Sequence, residues 1–595
     1  MLEPTSRRLL LDALRPPEGY RFDACIATTF TLDLVTLLTV PLALHLYDAE
    51  DEQGRPVLDP VAMLDAIRQT AGKLTVFCQA GRISVPSAGQ RLFAFLEDAV
   101  VEVKALRPTG LFHPKVWVLR LTGDASIAYR LLVASRNLTA DRSWDVLLCL
   151  DGMLTDRKLA IAANHPLADF VAALPGLALR DVGQAVHERA KLFADELRRV
   201  SFDPPDGFDE IRFWPMGIAR ARNPFEAGTR RRLVISPFLS DDALLRLTED
   251  GADHVLVSRP ESLAACAPAT LARFRESYAL APTADAELAA DAEGALTGLH
   301  AKVVVGDDGW DASVWVGSAN ATKAGLDTNV EFMAELRGRK SAAGVEATLD
   351  ALRSLLVPFT HPGTPPEDTD PDGLARIQED ARAQLAVQPL LVRVTSGAEG
   401  ALGMDLVVPE GAVALDDRAA VSAWPISVPQ ETHAQRLESG GGTVAAFGPL
   451  SVESVTPFFA FEIAVEGGPF PLRFVRALPL EGAPADRIQR ILRAVLENRD
   501  QVLRLLLLIL SGEQLVPAAF ATSGDGASAV GSWLGGSSTV LEALLTSLHE
   551  APSRLDRVSA IVADLRGTAE GRQLLPEGFE RIWEPIWQAR RELNP

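Results

Sequence analysis

"LHAKVVVGD" runs from Leu299 to Asp307, and "GSAN", Gly317 to Asn320, follows shortly after. The first run is apolar enough for a buried strand, yet it carries an imidazole and an ammonium two residues apart. Residues i and i+2 of a strand point to one face, so His300 and Lys302 are expected to project together. Earlier in the chain the same pattern is written in "LFHPKVW", Leu111 to Trp117, which is followed by "ASRN", Ala134 to Asn137. His113 and Lys115 are the counterparts of His300 and Lys302, and Ser135 and Asn137 of Ser318 and Asn320. An acid trails each histidine at nearly the same offset: Asp145 in "SWDVLL" and Glu331 in "NVEFMAEL". One His-x-Lys occurs often by chance, and a lone histidine is usually structural. Two copies with matching turns and trailing acids argue for one site built from two equivalent halves.

The flanks repeat as well. "DACIATTFTLDLVTLL" and "RLVISPFLSDDALLRL" each read as a buried strand, a turn and a helix, with Phe30 equivalent to Phe238. "KLTVFCQAGR" and "HVLVSRPESL" each read as a short strand ending near an arginine. Strands alternating with helices imply parallel α/β sheets, and two degenerate copies imply a pseudo-twofold pair. Proline-rich acidic segments place the boundaries. Residues 1–203 and 204–362 are read as the two repeats, and "HPGTPPEDTDPDG" from His361 as a linker. Residues 374–478, with Gly-broken alternating runs, are read as a mainly β domain, and residues 479–595, with helical periodicity, as a helical one. "ATSGDGASAVGSWLGGSST", Ala521 to Thr539, reads as a loop.

A 595-residue chain with 47% hydrophobic and 23% charged residues buries large cores without staples. Cys25, Cys78, Cys149 and Cys266 are far apart and lack metal-ligand spacing, which points to a reducing cytoplasm. No apolar run reaches the roughly 18 residues of a membrane span. The net charge of -21 opposes adhesion to polyanions over the whole surface but leaves room for a local basic groove. Arg220, Arg222, Arg230, Arg231 and Arg232, then Arg337, Arg339 and Lys340, are candidates, as is a merely solvated face. Trp117 reads as core rather than as a base-stacking platform.

His-x-Lys-x4-Asp followed by Gly-Ser-x-Asn resembles the signature of the phospholipase D superfamily, also called the HKD family, and the likeness covers about residues 20–360. The first copy departs from it. Arg120 stands where the family has aspartate, with Asp124 close by, and Arg136 sits inside the Ser-x-Asn turn. The resemblance implies a metal-independent, cofactor-free phosphodiesterase that works through a covalent phosphohistidine. His113 would be the nucleophile and His300 the acid. Lys115, Lys302, Asn137 and Asn320 would hold the non-bridging oxygens. Asp145 and Glu331 would orient the imidazoles. Ser135 and Ser318 would line the substrate or serve as plain turn residues.

The superfamily fold does not decide the substrate. A nuclease acting on DNA, or on RNA, fits a cytoplasmic chain with arginine clusters. A phospholipid-processing enzyme lacks an interfacial helix here, and a binding subunit that only grips a phosphate backbone is the non-catalytic alternative. The layout resembles phospholipase D-family proteins of bacterial restriction and anti-phage defence, which often act beside a helicase. Residues beyond about 370 are expected to serve binding or assembly and to be separable from a two-copy core. Oligomeric state stays open, since both motifs lie on one chain.

Overall fold

The computed structural model describes residues 10–45, 60–89, 91–140, 143–218, 224–226, 229–281, 298–363, 373–397, 401–413, 416, 418–468, 470–496, 499–511, 537–567, 569–576 and 579–593. Most of the linker, most of the 521–539 stretch, and Arg220 and Arg222 lie outside them.

The first half builds a seven-stranded sheet from β1 (Arg21–Thr29), β2 (Leu74–Gln79), β3 (Val100–Val103), β4 (Val116–Thr122), β5 (Ile127–Ala134), β6 (Leu147–Leu154) and β7 (Val200–Phe202), in the order β3-β2-β1-β4-β5-β6-β7. The second builds an eight-stranded sheet from β8 (Phe208–Met216), β9 (Arg231–Ile235), β10 (His254–Ser258), β11 (Phe274–Leu280), β12 (Val303–Asp308), β13 (Asp311–Gly317), β14 (Glu331–Arg339) and β15 (Leu356–Pro358), in the order β15-β11-β10-β9-β12-β13-β14-β8.

The expected parallel sheets are only partly so. β1, β2 and β3 run parallel, as do β9, β10 and β11, but β4 and β12 enter antiparallel to β1 and β9. Everything beyond them in each sheet is antiparallel too. The reason is connection length. Only Gly309 and Trp310 separate β12 from β13, and so tight a turn joins antiparallel strands alone. Gly309 takes a positive φ of 60° there.

Strand parity sorts the apolar residues into two layers. Ile26, Phe77, Val116 and Val118 face a core shared with Ile235, Val303, Val316 and Phe332 of the other sheet. The rings of Phe170 and Phe332, one from each half, lie 4.9 Å apart in that core. Cys25, Ala27, Val76, Leu119 and Leu121 face the opposite way, and Trp117, 3% exposed, is core on that side.

Residues 391–481 form two four-stranded sheets with their own core. Among the described residues, the helices from Arg487 onward share a core with the first sheet. Leu505, Leu506, Val558, Val562 and Trp583 join the apolar cluster on the outer face of the first sheet.

A candidate active site where the two halves meet

Both His-x-Lys motifs lie in extended backbone just before β4 and β12, not within the strands as read from periodicity. Their pairing partners come from the other half. Phe112 bridges Val330, and Leu299 bridges Trp144, both in parallel. His113 N donates to Val330 O at 2.8 Å, and His300 N donates to Trp144 O at 2.8 Å. Each histidine is therefore delivered to the segment that carries the other half's acid. The sequence offsets associate Asp145 with His113 and Glu331 with His300, but the fold gives Glu331 to His113 and sets Trp144, the residue before Asp145, against His300.

The crossing is explicit at His113. Its Nδ1 lies 2.8 Å from Glu331 Oε2. Glu331 is fully buried and also accepts from Ser318 Oγ at 2.5 Å and from Asn329 Nδ2 at 3.1 Å. With a carboxylate on Nδ1, the ring carries its proton there and presents a free Nε2 lone pair. Burial pushes the His113 pKa down to about 4, against the pull of Glu331, so the ring is neutral near pH 7. Ser318 reaches Glu331 because Gly317 precedes it: a Cβ there would lie 2.2 Å from Phe332 O. Ser135 makes the corresponding strand contact in the first half, accepting from Val146 N at 2.9 Å. Ser318 is thus bonded to the orienting carboxylate, and Ser135 to the strand end; both are buried, as Lys115 and Lys302 are.

Lys115 Nζ donates to His113 O and Lys302 Nζ to His300 O, each at 2.6 Å. Lys302 Nζ also stands 3.2 Å from His300 Nδ1. Burial brings Lys115 down to about 7 and holds Lys302 well below its ordinary range. His300 is held well below its usual value by burial, and then by Lys302, Lys115, His113 and Arg259. The two motifs thus feel each other's charge. Asp145 acts on Lys302, pulling its pKa up. Asn137 and Asn320 end the equivalent turns, each with a buried amide oxygen that has no hydrogen-bond partner among the described residues.

Arg120 lies outside this constellation. It forms a two-pronged pair with Glu196 of the helix Gln184–Leu197, at 2.8 and 3.0 Å, and reaches Asp23 at 2.6 Å. Asp307, its counterpart in the second half, accepts from Val345 N at 3.0 Å at the start of the helix Val345–Leu352. Both positions tie a sheet to a covering helix. Arg120 and Asp307 therefore make equivalent structural contacts in the two halves.

The basic clusters are largely engaged. Arg231 pairs with Glu346, Arg337 with Asp308 and Asp311, Arg339 with Asp311 and Lys340 with Asp307. Arg232 is buried and bonded to Thr229 and to the Leu247 carbonyl. These described members of the clusters are held in pairs rather than left to line a groove.

Two arginines noted in the sequence only as strand ends belong to the site. Arg82 lies 5.0 Å over the Phe30 ring, which meets the His113 ring edge-on at 5.0 Å. Arg259 lies 5.1 Å over Phe238, and its Nε donates to Leu299 O at 2.8 Å, beside His300. The signal was the repeat itself, strand then arginine, in both copies. Glu379, which pairs with Arg82 from a helix beyond the linker, left no such trace.

No family model and no curated protein matches the sequence. Among solved structures the chain is similar to a yeast tyrosyl-DNA phosphodiesterase mutant, at 12% identity and a TM-score of 0.33, over 56% of this chain and 84% of that one. It is similar to a Porphyromonas gingivalis polyphosphate kinase at 12% identity and a TM-score of 0.27, over 64% and 45% of the two chains. It is also similar to Nuc, a phospholipase D family member from Salmonella typhimurium, at 15% identity and a TM-score of 0.19, over 25% and 97%. The phospholipase D reading rests on the chain's own duplicated motifs.

Proposed function

We propose that the chain is a metal-independent phosphodiesterase of phospholipase D type, its two halves forming a pseudo-twofold pair around one site, and that its substrate is a nucleic acid. The observation that carries this reading is the cross-half unit at His113: a neutral imidazole fixed through Nδ1 by a buried carboxylate, with both lysines and the second histidine at hand.

In this reading His113 Nε2 attacks phosphorus, a P–N bond forms and the P–O bond to the leaving group breaks. Lys115, Lys302, Asn137 and Asn320 hold the non-bridging oxygens and take up the charge that develops on them. His300 gives its proton to the departing oxygen and then, as base, takes one from the water that cleaves the P–N bond. His300 is hard to protonate among three cations, but a bound phosphodiester is an anion and offsets them. Substrate binding would itself arm the acid.

DNA is the first candidate substrate, RNA the second. On layout alone, an HKD pair followed by β and helical segments, we place the enzyme in a bacterial restriction or anti-phage defence system, with a helicase as partner.

The test uses labelled single- and double-stranded DNA and RNA in excess EDTA, with His113→Ala and His300→Ala proteins. Cleavage should persist in EDTA and vanish in both variants. With a good leaving group, His300→Ala should accumulate a phosphohistidine that survives an alkaline quench and shows by intact mass. An adduct on His113→Ala instead would reverse the two roles. Binding without cleavage or adduct in the wild type would make the chain a binding subunit.

A further inference from the structure

The two halves treat the same arginine–phenylalanine pair in opposite ways. In the first half, Phe30 is turned inward against His113, and Arg82 over it is fastened to Glu379 of the helix Leu374–Val387. In the second half, Phe238 is 46% exposed. Arg259 uses its Nε on a carbonyl and, among the described residues, meets no carboxylate. The turn registers explain the difference. Leu32 bridges Leu138 and Leu239 bridges Ala321, so Phe30 stands two residues before its bridge and Phe238 one. That single-residue offset sends one ring into the site and the other to its rim.

The place of the second pair is fixed on two sides. Ser240 N donates to Ala321 O at 3.0 Å, and Ser236 Oγ accepts from Ala321 N at 2.9 Å, which joins the Phe238 turn to the turn ending in Asn320. Arg259 joins it to Leu299, the residue before His300. The pair therefore borders the half of the site that holds the proposed acid.

From this we infer that Phe238 and Arg259 form a nucleotide subsite on the leaving-group side: an unpaired base stacks on Phe238, and Arg259 holds the phosphate next to the scissile one. The inference rests on the proposed phosphodiesterase reading and narrows its substrate to single-stranded or frayed nucleic acid. An exposed aromatic ring beside a guanidinium that meets no carboxylate among the described residues suits a base and its phosphate, because every base has a π-face and arginine takes phosphate through its planar fork. A base still paired in a duplex keeps both faces stacked and cannot occupy the ring. The depressed pKa values of His300 and Lys302, to which Arg259 contributes, agree with its charge reaching the site.

Binding of labelled oligothymidylate and oligouridylate, and of an abasic strand of equal length, tests this by anisotropy in EDTA in a His113→Ala background that cannot cleave. Phe238→Ala should weaken the base-bearing strands by roughly 10- to 100-fold, the range of one lost base stack. The abasic strand should bind the parent and Phe238→Ala proteins alike, and Phe238→Trp should restore the base-bearing strands. Arg259→Gln should lower the slope of log affinity against log salt by about one. An equal loss on base-bearing and abasic strands, or no loss on either, overturns the subsite. So does equal binding of blunt duplex and single strand. If the wild type hydrolyses methyl p-nitrophenyl phosphate but binds no oligonucleotide, the subsite falls while the phosphodiesterase stands. If it does neither, both fall.

Discussion

Glu331 accepts three hydrogen bonds without solvent contact, and that decides what a substitution there does. Glu331→Gln keeps the volume, but it replaces one acceptor oxygen with a donor among donors and removes the charge that fixes the His113 tautomer. Turnover should fall by about 10²–10⁴-fold, the scale seen when a catalytic histidine loses its orienting carboxylate. The loss should be the same for good and poor leaving groups, since it strikes the nucleophile. Asp145→Asn, on the His300 side, should spare the initial burst of p-nitrophenol, slow the first step with alkyl esters and slow hydrolysis of the phosphohistidine with both; an undiminished burst in both variants, or an equal loss of it in both, would show that the crossing has no kinetic meaning. The buried lysines carry a pH signature. Lys115 falls to about 7 in the folded chain from an ordinary value near 10.5. Between those values the unfolded chain binds more protons, so stability rises with pH over that window. An oxyanion such as tungstate needs the charged ammonium and should bind best below pH 7. At about a hundred times its Kd it should add about 2.7 kcal/mol of stability, read as a rise in Tm. The shift should shrink toward pH 9 and vanish in Lys115→Met. A shift constant from pH 6 to 9 would mean that the lysines do not hold the anion.

At the scale of the element, the site hangs on extended segments that run into β4 and β12, and on one helix from beyond the linker. The helix Leu374–Val387 clamps the first half: Arg382 Nη1 donates to Gly81 O at 3.1 Å, and Glu379 takes Arg82, which presses Phe30 onto His113. Glu379 is 41% exposed on its side chain, so its ion pair with Arg82 should be worth under about 1 kcal/mol. As a positioning contact it should matter more. Glu379→Gln should cost about 10-fold in kcat and leave Tm almost unmoved; a large Tm loss with kcat intact would make the contact a plain staple. The two His-x-Lys pairs, the Ser-x-Asn turns and the acids could be read from the chain because they are short, local and written twice; the arginines could be read only as strand ends, and their stacking on Phe30 and Phe238 could not. Which acid serves which histidine could not, because the pairing runs between segments of different halves. Strand direction beyond β4 and β12 was misjudged because a tight Gly-Trp turn was passed over as part of a strand–helix alternation. The Arg82–Glu379 contact spans 297 residues and leaves no periodicity to find.

At the scale of the whole molecule, the C-terminal helices and the first sheet share one interior. Val76, Leu119 and Leu121 of the sheet pack in the same cluster as Leu505, Val558, Val562 and Trp583. Ion pairs cross the same boundary: Arg68 with Asp564 at 2.9 Å, Arg557 with Asp65 at 2.6 Å, and Arg487 with Glu97. Glu102, at the edge of the sheet, accepts from Ala477 N at 3.1 Å and faces Arg476 at 3.4 Å. The expected separable two-copy core meets an obstacle here. Cutting after residue 362 would expose a broad apolar face, far beyond the few hundred Å² that soluble monomers usually show, and would strip Glu102 of Ala477 N and Arg476. Such a fragment should aggregate, or should persist as a loose state that binds hydrophobic dyes. The full chain should lose the first sheet and the C-terminal helices in one transition, followed by hydrogen exchange at Leu119 and Val558. A soluble 1–362 fragment with a sharp melting transition and undiminished turnover of a small diester would show that the outer face of the first sheet needs no cover. The C-terminal helices would then be free to serve a partner.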